Sequence, residues 1–283
     1  MNLECLKLPK GPNKKLYKYF SEDKFDREKR DIEEGKIFCS RMCELNDIFD
    51  GKFYLNNDNL ENVPNIENYL IDYVVEMLKS YNYIKYAEKL LLVRDSFNVC
   101  KNLKEVLTKA EDYIDNDLNV YSLYLEYENK NFNKDSANLC SRSFSEVNNS
   151  LLMWAYYASS HKGFCIEYDL TTQQAKEDYF VNNIQKVNYS DNFPINYING
   201  LAFFTKSQEW SHEQEWRLII DTKTKYYKKG FKIDFPYASA IYLGVNFDND
   251  KIAIMKQFAN KNNLKIFQMK IVDNRYEICP VSI

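Results

Sequence analysis

Apolar and polar positions along the chain fall into three stretches: a strand–helix–strand opening, a block of helices, and a long second half built mostly of strands. Leu16-Tyr17-Lys18-Tyr19-Phe20 has the short, aromatic-rich character of a strand. Phe25 to Glu34 reads as a charged helix, with Ser21 offered as its cap and Gly35 as its stop. Lys36 to Ser40 is the next strand, and Arg41 to Asp50 is a polar loop with Asn46-Asp47 and Asp50-Gly51 as turn signals. Pro64 opens a helical region, where Ile66, Tyr69, Leu70, Tyr73, Val74, Met77 and Leu78 recur at helical spacing on one face. Helices from Tyr83 to Phe97 and from Leu103 to Tyr113 follow, and Asp115-Asn116-Asp117 breaks the pattern. The spacing predicts a helical insertion over about residues 64–118.

Beyond it, strands are predicted over Leu139–Phe144, Gly163–Tyr168, Val187–Tyr189, Glu215–Asp221, Phe231–Phe235, Ala240–Leu243, Lys265–Ile271 and Tyr276–Cys279. Helices are predicted over Leu151–Ser159, capped by Asn149 or Ser150, and over Lys251–Asn262. Strands in runs with helices set apart indicate an α+β fold with mainly antiparallel sheets. We expect one domain spanning residues 1–283 that carries the helical insertion.

One stretch concentrates chemistry: Phe204 to Ile220, with Lys206, Trp210, Glu213, Glu215, Trp216 and Arg217. Trp216, Leu218 and Ile220 alternate with Glu215, Arg217 and Ile219, the period of a strand with one apolar face. That period puts Glu213, Glu215 and Arg217 together on the other face. Two carboxylates on one strand face repel unless a cation or a sugar-like group lies between them. Glycosyl transfer from a nucleotide needs a carboxylate that stabilises an oxocarbenium-like transition state. Glu215 suits that role, and Glu213 suits the orientation of an acceptor. The competing reading is that Glu215 and Arg217 pair with neighbouring strands and hold the sheet. Ser141, Ser143 and Ser145 would share a strand face, as the wall of a polar pocket or as ordinary edge positions. Trp154 and Tyr157 are helical neighbours that could stack on a planar ligand or fill the core.

Composition narrows the classes. A hydrophobic content of 45% in 283 residues supports a sizeable core, and a net charge of −3 supplies no global basic field for nucleic acid. Only 7 Gly and 6 Pro argue against disorder. Seven scattered cysteines read as reduced thiols of a cytoplasmic protein. Cys39 and Cys43 lack the second ligand pair of a zinc site, so no metal is expected. Met1 to Lys10 lacks the apolar run of a signal peptide, and no apolar window spans a membrane. The two histidines, His161 and His212, lie outside any nucleophile-elbow context. A nuclease of the E-x-K type would want lysine where Arg217 stands.

Several ungapped motifs in order resemble the uncharacterised bacterial family called domain of unknown function 2971. They are Leu16-Tyr17-Lys18-Tyr19, Leu45 to Asp50, Cys140 to Ser145, Leu152 to Ala158 with His161 to Tyr168, and Lys206-x3-Trp210-x2-Glu213-x-Glu215-Trp216-Arg217. Ile48 stands where the family usually has Pro, and Arg142-Ser143 interrupt its Cys-Phe-Ser run. The order of elements also resembles the layout of ADP-ribosyltransferases, which implies a split sheet and NAD as substrate. That layout implies Lys18 or Tyr17 at the adenosine ribose, Ser143 or Ser145 at the nicotinamide pocket, and Glu215 as the catalytic residue. Lys18 stands where His or Arg is expected, a point charge in place of a planar fork. Trp154, Tyr156, Lys206 and Arg217 complete the expected ligand-binding set. The expected function is an NAD-using ADP-ribosyltransferase or glycohydrolase, with Glu215→Gln abolishing turnover at nearly unchanged melting temperature. The alternatives are a non-enzymatic sensor or interaction domain with a nucleotide, protein or nucleic-acid partner, in phage defence or a toxin system, and a nuclease.

Overall fold

The computed structural model describes residues 11–45, 47, 49–52, 54, 57–63, 69–114, 118–194, 201–222 and 230–283. The leader expectation at Met1–Lys10, the motif positions Asn46 and Ile48, the helix start at Pro64 with Ile66, and the break at Asp115-Asn116-Asp117 lie outside the described residues. Contacts divide the chain into two compact units: one of Gly51–Ala137 with Asn192–Phe203, the other of Asn2–Asp50, Asn138–Asp191 and Phe204–Ile283.

The second unit begins with β1 (Lys15–Phe20), α1 (Phe25–Glu33) and β2 (Lys36–Arg41). Gly35 ends α1 as predicted, with φ at +64° and its amide on Ile32 O at 3.0 Å. Ser21 does not cap α1. A 3₁₀ turn, Glu22–Lys24, intervenes, and the Ser21 hydroxyl bonds the Asp23 carboxylate instead of a helix amide.

The first unit holds α2 (Tyr69–Ser80), α3 (Ile84–Leu92), α4 (Leu103–Glu111) and most of α5 (Val120–Asn138). Its core joins Leu70, Val74 and Leu78 of α2 to Leu90 of α3, Val106 of α4 and Tyr124 of α5. Tyr69, predicted on the apolar face, is exposed, while Ile71 and Val75 are buried, so the buried stripe lies one position round from the expected one. The helix predicted to run to Phe97 stops at Leu92, and Arg94–Val99 continues as 3₁₀ turns. Sequence periodicity misses α5, whose tyrosines and asparagines do not sort into an apolar and a polar face.

The chain continues through β3 (Leu139–Ser145), α6 (Leu151–Tyr157), β4 (Phe164–Asp169), α7 (Gln173–Glu177), α8 (Tyr179–Asn182), β5 (Ile184–Lys186), β6 (Asn188–Ser190), β7 (Thr205–Ser207) and β8 (Glu215–Asp221). It ends with β9 (Gly230–Asp234), β10 (Ala238–Leu243), α9 (Asn249–Lys261), β11 (Lys265–Ile271) and β12 (Ile278–Ser282). Ser150 caps α6, accepting from the Met153 amide. Ten strands form one sheet in the order β12-β11-β10-β4-β1-β3-β2-β9, with β8 along β3 and β5 along β8. Its pairings are antiparallel except β10–β11, which α9 connects as a parallel crossover. The fold is α+β with a mainly antiparallel sheet, as the run of strands predicts. Short β6 and β7 pair separately, in parallel.

One irregularity in the sheet positions the site. β8 takes one edge of β3 from end to end, Leu139↔Asp221 through Ser145↔Glu215. The other edge is shared: β1 pairs there only at Tyr17↔Ser145, and β2 only at Ser141 and Cys140. Arg142, Ser143 and Phe144 therefore have no strand partner on that edge among the described residues, and the sheet opens beside Lys18 and Tyr19. On one face of the sheet Leu16, Phe20, Phe144, Ile166 and Leu218 share a core with Phe258 of α9. On the other, Tyr19, Cys165 and Tyr242 pack with Trp154 of α6.

Candidate functional site

β8 starts directly after Gln214, whose φ of 44° is left-handed and turns the chain out of a 3₁₀ turn, Gln208–Glu213. The predicted alternation holds within β8. Glu215 and Arg217 are buried on one side, while Trp216, Leu218 and Ile220 join the apolar core on the other. Glu213 departs from the expectation: it belongs to the turn, not the strand, and reaches the same place from beside it. Ser145 fixes this approach, donating its hydroxyl to Glu213 O at 2.7 Å and accepting from the Val147 amide at 3.2 Å.

The carboxylates are gripped from several elements. Lys206 of β7 donates to Glu213 Oε2 at 2.7 Å, stands 3.5 Å from Glu215, and lies 4.7 Å from the Trp210 ring centroid. Arg217 forks twice: to Glu215 at 2.8 and 3.0 Å, and to Asp50 at 2.6 and 2.9 Å. The Tyr157 hydroxyl donates to Glu213 Oε1 at 2.5 Å, and Tyr189 accepts the Glu215 amide at 2.8 Å. Burial by itself would raise the Glu215 pKa, but Arg217, Lys206 and a hydrogen bond from Ser143 hold it down at about 2. Burial likewise opposes the Arg217 charge, and Glu215 with Asp50 outweighs it, so the guanidinium stays firmly protonated.

Asp50, Tyr157, Lys206, Glu213, Glu215 and Arg217 line a pocket of about 90 Å³ at the opening of the sheet, together with Tyr17, Lys18, Tyr19, Ser143 and Ser145. That volume holds several waters or one ring-sized group. Of the residues expected at the site, Tyr17, Lys18, Ser143, Ser145, Lys206, Glu213, Glu215 and Arg217 come together here. Trp154 and Tyr156 do not. Trp154 is 0% exposed, sits edge-on to Tyr19, and donates its indole N–H to Asn148 O at 2.7 Å, so it is core. Tyr156 is 64% exposed. The reason is helical phase: α6 turns Met153 and Tyr157, four positions apart, toward the pocket, which leaves both of the others off that line.

Asp50 and Tyr189 escape sequence reasoning. Asp50 reads there only as a turn residue, although it closes one of the motifs that carry the family resemblance. Among the described residues, no group of three or more His, Cys, Asp and Glu is placed to hold a metal ion, and no helix is long and apolar enough to cross a membrane.

Chemically, the pocket presents an ionised, immobilised carboxylate beside hydroxyls and the basic side chains of Lys18, Lys206 and Arg217. Comparison with curated proteins and with solved structures returns no match to this chain. Over residues 153–218 the chain matches the model of the family described as Protein of unknown function (DUF2971), so the resemblance read from the sequence holds for the stretch that carries Tyr157, Lys206, Glu213, Glu215 and Arg217.

Proposed function

We propose that the pocket receives a nucleotide and that the chain is an NAD-using enzyme, an ADP-ribosyltransferase or a glycohydrolase, which cleaves the bond between nicotinamide and ribose. The observation that carries this reading is Glu215: a carboxylate 2% exposed, ionised, and fixed by Arg217 on the wall of a pocket. Fixed negative charge is what a developing ribosyl cation requires, because the protein need not reorganise as the charge appears. In the step itself the C1′–N bond breaks and its electron pair leaves with nicotinamide. Glu215 stabilises the cation, and a water or acceptor oxygen attacks C1′ and loses its proton to Glu213. Tyr157 and Lys206 hold Glu213 in place. The pocket takes the reacting end of NAD, and the rest of the dinucleotide lies outside it. Such an activity suits an effector in phage defence or a toxin system.

One observation favours a second reading, a binding domain without chemistry. Both oxygens of Glu215 and both of Asp50 are already engaged by Arg217, as in a scaffold that shapes a ligand site. Nicotinamide release and NAD affinity, measured side by side for wild type and Glu215→Gln, separate the two. Release by wild type that falls at least about 100-fold in a variant that still binds NAD supports the enzyme. Binding without release by wild type supports the binding domain. Neither binding nor release overturns NAD as the ligand. The ion pairs of Glu215 also revise one expectation: the variant should lose stability as well as turnover, so affinity has to be measured on folded protein.

A further inference from the structure

Lys18 stands apart from the other charged groups of the pocket. Asp50, Glu213, Glu215, Lys206 and Arg217 are joined to one another by hydrogen-bonded ion pairs. The Lys18 side chain has no hydrogen bond or ion pair among the described residues, yet it lines the same pocket. Its place explains this. β1 leaves β3 after Tyr17↔Ser145, so Lys18, paired with Ile166 of β4 on its other side, stands where the sheet has opened and no β3 residue pairs with it. The charges that face it are mixed: Arg142 from β3 repels its ammonium, while Glu215 from β8, Glu213 from the preceding turn and Glu28 from α1 attract it without touching it.

We infer that Lys18 is a nucleophilic amine, poised to form an imine with a small aldehyde or ketone that enters the pocket. Removal from water disfavours the charged form, and with the repulsion from Arg142 this brings the Lys18 pKa down to about 8. A good part of the side chain is then a free amine at mildly alkaline pH, with its lone pair available. The nitrogen adds to the carbonyl carbon, and the carbonyl oxygen takes up a proton. The carbinolamine then loses water, so that the C=O bond and two N–H bonds are exchanged for a C=N bond and one molecule of water. The volume of about 90 Å³ admits a small carbonyl compound and excludes a large one. This chemistry is independent of NAD cleavage, and the experiment below contains no NAD.

Wild-type protein is treated with glycolaldehyde and cyanoborohydride, and with trace acetic anhydride, between about pH 6 and about pH 11, and the modified lysines are mapped by mass spectrometry. Lys18 should react at least about tenfold faster than exposed Lys162 and Lys270 at pH 8, with its acetylation rate rising through a midpoint near 8. Lys18→Met, its fold checked by melting, should lose the fast-reacting site and leave the labelling of the other lysines unchanged. A Lys18 rate equal to that of the exposed lysines, or a midpoint at about 10.4 as for a free amine, would overturn the proposal. So would fast acetylation with no reductive trapping of the aldehyde.

Discussion

Arg217 is the side chain on which the pocket's charges converge, and its loss would strand two buried carboxylates. With Glu215 and Asp50 both bound to its fork, Arg217→Met should destabilise the protein by about 3–5 kcal/mol in urea melts. Arg217→Lys should recover only part of that, because one ammonium cannot make two bidentate contacts. Glu215 gives the site a pH signature. Its folded pKa, about 2, lies below the unfolded value of 4.5, so its contribution is fully present above pH 4.5 and is lost as pH falls toward 2. Stability measured across that window should fall more steeply for wild type than for Glu215→Gln, and equal slopes would contradict the ionised assignment. The residues of this network differ in how far sequence exposes them. Glu213, Glu215, Arg217 and Lys206 lie within a dozen positions of one another, where unusual residue types stand out. Asp50 joins them only through the fold, because nothing local marks a turn aspartate as the partner of a distant arginine.

At the scale of the elements, α5 poses a different problem. Glu128 on this helix is fully buried, and burial raises its pKa to about 7, a rise that the nearby Tyr73 and Tyr124 hydroxyls moderate. The sign is opposite to that of Glu215. A raised folded pKa gives stability that is fully present below the unfolded value of 4.5 and is lost as pH rises through 7. Glu128→Gln should therefore flatten this dependence and leave the helical unit more stable than wild type above neutral pH, measured by helix melting at mildly acidic and mildly alkaline pH. A variant that is less stable at every pH would show that the carboxylate serves in its charged form. Sequence hides α5 because its apolar residues, mostly Tyr, Leu and Phe, are spread round the helix and its second half is Asn-rich. The other helices are legible where a stop or cap is chemically distinct, as at Gly35 and Ser150. Their phase is legible only to within one position, as Tyr69 and Ile71 show.

Across the whole molecule, the α+β class is legible because strands follow one another without alternating helices, and β-branched or aromatic runs mark most of them. Which strand lies beside which is not legible: β1, early in the chain, lies between β3 and β4, and β10 reaches β4 from much later. These pairings are long-range, and so is the opening that makes the pocket. They have a consequence during synthesis. β1 emerges from the ribosome long before Phe164–Asp169, the segment that will cover its edge. Over that interval Leu16-Tyr17-Lys18-Tyr19-Phe20 is a bare, aromatic, β-prone segment of the kind that seeds aggregates. Lys15 flanks it and Lys18 interrupts it with charge, in the manner of gatekeeper residues. The lysine that ends unpaired in the finished pocket is also the one charge within that segment, and a charge there disfavours pairing of the nascent strand with other chains before its own partner has been made.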